Sequence, residues 1–101
     1  MREPYNRARG EVLLEIDGRA VRLCLTLGAL AELEAAFDVV SLGALGERLA
    51  HLSAADLALV IAALASGGGE TINAADICAA RIDPRAAAIA VAEAFRVALH
   101  D

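Results

Sequence analysis

The stretch "EVLLEIDGRAVRLCL", residues 11 to 25, constrains the fold more than any other part of the chain. Apolar and polar residues alternate on both sides of Asp17-Gly18. Asp-Gly between two alternating runs predicts a β-hairpin, because the favoured two-residue turn needs positive φ at both central residues. A two-residue loop pairs Ile16 with Arg19, Leu14 with Val21 and Val12 with Leu23. Val12, Leu14, Val21 and Leu23 then share one face that must be covered. A lone hairpin is marginal in water, so the rest of the chain must supply the cover.

Helical patterns follow. Thr26 is placed to cap a first helix carrying the stripe Leu30, Leu33 and Phe37. Ser41 starts a short second helix with Leu42, Leu45, Leu49 and Leu52 on one side. "SAAD", Ser53 to Asp56, reads as a capping box with Asp in place of Glu. It opens a third helix to about Ala65, apolar on nearly every side, with Leu57, Ile61 and Leu64 innermost. "SGGGE", residues 66 to 70, reads as a flexible break. Asn73 with Asp76 caps a fourth short helix that runs to near Ile82. Asp83-Pro84 supplies N-cap and first position of the last helix, with Ala88, Val91, Phe95 and Leu99 on one stripe. The expected class is α+β: an N-terminal β-hairpin packed against about five short α-helices, mostly helical. Residues 1–10 are expected to be a flexible N-terminal tail, and residues 11–101 a single domain.

Composition narrows function by exclusion. Among 101 residues there is no Trp and aromatics are only 3%, so the core must be aliphatic. Every basic residue is Arg, which removes Schiff-base and P-loop lysine chemistry. The net charge is −5. A nucleic-acid partner would call for a basic patch, so none is expected, and residues 54–65 hold no Arg, Asn or Gln to read bases. No run is long enough to span a bilayer, and "MREPYNRARG" has no apolar stretch behind it. A cytoplasmic protein with no membrane role is expected.

Reactive groups are sparse. His51 and His100 lie at a helix junction and at the C-terminus, and are read as surface histidines. Cys24 and Cys78 sit in apolar runs and are read as buried free thiols. Scattered Cys and His residues lack zinc-site spacing. Asp56, Asp76 and Asp83 are absorbed as helix caps. The expectation is a non-enzyme with no cofactor and no metal. The surplus of apolar helix surface then becomes the functional signal. Leu59 and Val60 on the third helix, with Ile89 and Val97 on the last, are the candidate partner-binding residues. They read either as ordinary burial or self-association, or as a groove for an apolar helix of another protein.

The run "LTLGALAELE", Leu25 to Glu34, resembles the small tail-assembly-chaperone-like proteins of gene transfer agents and related tailed phages. So does "RGE" ahead of the hairpin, and so do the Gly-rich break before "INAADI" and the alanine-rich last helix. The resemblance covers roughly residues 9 to 99. It implies a cytoplasmic chaperone that binds and shields hydrophobic helical segments of the tape-measure protein. Some descriptions of this family instead imply a structural tail tube component retained in the particle. A small protein-binding adaptor is the reading that needs only the fold.

Overall fold

Strands β1 (Glu11–Ile16) and β2 (Arg19–Cys24) form the expected hairpin. Their register is Val12 with Leu23, Leu14 with Val21 and Ile16 with Arg19. Asp17 (φ 54°) and Gly18 (φ 79°) both take the left-handed conformation that the turn requires. The computed structural model describes residues 10–99, so all of the expected tail at residues 1–10 except Gly10 lies outside the described residues. Gly10, which the sequence assigns to that tail, is buried beside Val97.

Five helices follow: α1 (Leu27–Phe37), α2 (Leu42–Leu49), α3 (Ala54–Gly67), α4 (Ala74–Ala79) and α5 (Pro84–Leu99). The caps fall where the sequence puts them. Thr26, Ser41 and Asn73 accept backbone N–H groups of Ala29, Ala44 and Asp76. Ser53 and Asp56 close a reciprocal capping box on α3. The α+β, mostly helical class is therefore what the chain adopts.

The hairpin lays its apolar face on α3 and α5, with α3 against β2 and α5 against β1. Helix α3 is central. Val60, Ile61 and Leu64 are buried there with Val21 and Leu23 of the hairpin, Leu33 of α1 and Leu45 of α2. Helix α5 docks through Ala87, Ala90, Val91 and Ala94. That face is offset from the predicted stripe: Ala88 is exposed and Leu99 is 57% exposed. Alanines let the helix axis approach its neighbours closely, so the small residues face inward and the larger Phe95 is left at the margin.

The glycine segment also departs from the expected flexible break. Gly67 ends α3 and Gly68 caps it. A Cβ at Gly67 would overlap the carbonyl oxygen of Cys24, and one at Gly68 would overlap that of Arg22. These two glycines exist for close approach of backbones. Of the two cysteines, Cys24 is buried and Cys78 is exposed, which corrects the expected burial of the second. Helix α4 ends at Ala79, three residues short of the predicted Ile82.

Candidate functional site

An apolar groove lies between α2, α3 and α5. Its walls are Leu49 of α2, Leu52 of the following loop, Leu57 of α3 and Phe95 of α5, with Val91 below. Leu49, Leu52, Leu57 and Phe95 are only half-buried. Small residues, Gly46, Ala54, Ala88 and Ala92, complete the lining. Large side chains at the walls with small ones between them suit the ridge of an incoming helix.

Leu57 belongs to a second apolar groove as well, lined by Ile61, Ile77, Ile82 and Pro84. The N-terminal half of α3 is therefore a ridge between two apolar grooves. That ridge follows from the local sequence. The Ser53 cap fixes where α3 starts, and Ala54, Leu57 and Ala58, spaced i, i+3 and i+4, then share one face of it.

One arginine sets the position of α2, the wall of the first groove. Arg48 Nη2 lies 2.7 Å from Asp56 Oδ2 on α3. Its Nη1 donates to the carbonyl oxygen of His51 at 3.3 Å. Its guanidinium sits 4.8 Å from the centre of the Phe37 ring at the end of α1. The hydrogen bond from Arg48 holds the Asp56 carboxyl below its ordinary range, against an opposing effect of burial, with help from the Ser53 N–H. Arg48 thus ties α2 to both neighbouring helices.

The four predicted contact residues do not form one surface. Val60 is fully buried in the core, which corrects its placement on a free face. A helix apolar on nearly every side hides its central residue, and α3 is enclosed by the hairpin, α1, α4 and α5. Leu59, 38% exposed, lines a separate cleft with Glu32 and Ala36 of α1 and the segment before α4. Ile89 is 62% exposed on α5. Val97 is half-buried beside Gly10. By spacing, Leu57 falls on the inner stripe of the third helix, Phe95 on a stripe of the last helix, and Leu49 and Leu52 on one side of the second, which does not mark them as a groove. The available signal was the shortness of α2, which cannot cover the ends of α3 and α5.

The grooves offer contact rather than chemistry. Among the described residues no group of three or more His, Cys, Asp or Glu could hold a metal ion. No helix among them is long and apolar enough to cross a membrane.

A family model described as phage tail tube protein, GTA-gp10, matches residues 9–101. No curated protein matches the chain, and no solved structure matches it. The family match supports the gene transfer agent and phage tail relationship seen in the Leu25–Glu34 run. Its description names a tail tube protein, not a chaperone.

Proposed function

We propose that this chain, which belongs to the phage tail tube family GTA-gp10, is a protein retained in the tail of a phage-like particle. It acts there by protein–protein contact, without catalysis or cofactor. The family match carries this reading. The apolar grooves on either side of Leu57 support it, since they give the chain surface to bury against other tail proteins or other copies of itself. The test is deletion of the gene in a particle-producing host, followed by electron microscopy. Tailless or aberrant particles are expected, restored by the wild-type gene. Normal tails in the deletion strain would refute a role in the tail.

A specific observation favours a second reading. The described residues hold only one two-stranded sheet, and α3 lies along the outer edge of β2. A tube wall built from sheets that continue from subunit to subunit needs two open edges, and this subunit does not offer them. A cytoplasmic assembly chaperone needs no such edges. It would use the Leu49–Leu57–Phe95 groove to shield apolar helical segments of the tape-measure protein, and would leave before the tail is finished. Leu57→Asp with Phe95→Asp separates groove binding from folding. Circular dichroism should be preserved, while affinity for tape-measure peptides should fall at least ~10-fold if the groove is the binding surface.

A further inference from the structure

Helix α2 is lightly anchored. Its backbone hydrogen bonds stay within residues 41–52, and among the described residues none runs to another element. It packs chiefly on α1. Among its described side chains only Leu45 is fully buried. Eight residues are too few for a helix to persist unaided. Gly43 and Gly46 weaken this one further. Nothing lies within 4 Å of the Cβ that either glycine lacks, so no close approach requires them. Val40 ahead of the helix, and Ala50 and His51 behind it, are exposed.

The side chains that seat α2 follow an amphipathic pattern. Leu45 joins the buried core, Leu49 follows at i+4, and Leu52 follows at i+7. The last two are half-buried against the groove. Arg48, at i+3, reaches Asp56 of α3 and the Phe37 ring of α1. That ion pair is partly exposed, which keeps it weak. Elements with few buried apolar contacts are those that open locally while the rest stays folded.

We propose that α2 is a displaceable cover, and that the face beneath it takes a partner helix of the same pattern, Leu at i, i+4 and i+7 with Arg at i+3. The seat prescribes this occupant. The place that Leu45 fills in the core takes an aliphatic side chain. Leu57 and Phe95 flank the places of Leu49 and Leu52. The Asp56 carboxylate and the Phe37 ring receive a guanidinium. A partner helix without glycine is ordered at smaller cost than α2 and can take its place in trans. A second copy is a poor donor, because its α2 carries the same glycines and short linkers hold it at its own seat. That the partner is another tail protein rests on the tail reading above; the cover does not.

Two measurements on the full chain test this. In amide exchange at low urea, the Leu45 to Leu49 amides should exchange through an opening that urea barely accelerates. The Ile61 and Leu64 amides should need the urea-dependent global unfolding. Equal urea dependence at both places overturns the cover. The probe for the seat is acetyl-Ser-Leu-Ala-Ala-Leu-Ala-Glu-Arg-Leu-Ala-His-Leu-amide, the chain's own residues 41–52 with Ala for both glycines. In 15N NMR it should shift the Asp56 and Leu57 amides and strip protection from α2. The same peptide with Glu for its Arg should bind at least ~10-fold more weakly. Gly46→Ala strengthens the resident helix and should weaken peptide binding about 2–5-fold. Arg48→Met leaves Asp56 to the peptide and should tighten binding. No response at millimolar peptide, equal binding of both peptides, or binding that leaves α2 protected would overturn the proposal. Neither measurement involves particles, so failure here sinks the cover and leaves the tail reading standing. Absence of the chain from particles counts against the tail reading, and these two measurements still decide the cover.

Discussion

Asp56 binds Arg48 of the preceding helix while it caps its own. Its Oδ2 lies 2.7 Å from Arg48 Nη2 and also accepts the Ser53 N–H at 3.4 Å. The first turn of α3 and the last turn of α2 are thereby fixed together, and with them one wall of the apolar groove.

This relationship predicts an acid-sensitive α2–α3 junction. The folded-state pKa of Asp56 is lowered from its ordinary 3.8, chiefly by the Arg48 hydrogen bond. A lowered carboxyl pKa contributes stability that is complete above the unfolded value and is lost as pH falls through the folded one. Arg48→Met should therefore lower stability at pH 7, where the contribution is complete, and flatten the profile below about pH 4, where the wild type loses it. Urea titrations across pH check this. Ser53→Ala removes the cap itself and should cost about 1 kcal/mol at any pH.

The glycines divide into those that backbone contact requires and those that it does not. Gly67→Ala and Gly68→Ala each set a Cβ against a β2 carbonyl and should cost about 1–3 kcal/mol by overpacking. Gly46 lies inside α2 with nothing within 4 Å of its missing Cβ. Gly46→Ala should stabilise by ~0.5–1 kcal/mol. Thermal unfolding of the three variants gives the comparison, and a stable Gly68→Ala would refute the close-approach account.

Asp17 carries two separable jobs. It holds a left-handed turn position at φ 54°, and its carboxylate accepts the Arg81 N–H. Asn serves both, since it tolerates that conformation and retains an acceptor. Asp17→Asn should be nearly neutral. Asp17→Ala should cost roughly 1–2 kcal/mol, from backbone strain and the lost hydrogen bond together.

Position along α3 should decide the outcome of charge substitution. Val60→Asp buries an unpaired carboxylate and should unfold the domain. Leu59→Asp should leave the circular dichroism spectrum unchanged, because Leu59 is partly exposed at a cleft. Leu64→Ala should cost ~2–5 kcal/mol as a core cavity.

These contrasts mark what the chain disclosed by sequence. The hairpin, its register and the caps at Thr26, Ser41, Ser53 and Asn73 were legible because each depends on residues within a few positions of one another. Burial on α3 and α5 was less so. Leu59 and Val60 are adjacent and equally apolar, and only the placement of α1 and the hairpin around α3 separates them. The inward face of α5 was misjudged because spacing arguments favour large residues, whereas close docking selects Ala87, Ala90 and Ala94. Gly67 and Gly68 read as a linker because the strand they touch is more than forty residues away in sequence. The groove depends on three helices at once and leaves no local signature.

Quantitative mass spectrometry of purified particles tests the central claim most directly. A tagged wild-type chain is expressed from its own locus, and particles and lysate from the same culture are compared. Retention in the tail predicts this chain in purified particles at a fixed copy number relative to the other tail proteins. Its absence from particles, with the tape-measure protein bound to it in the lysate, would contradict that claim and make it an assembly chaperone.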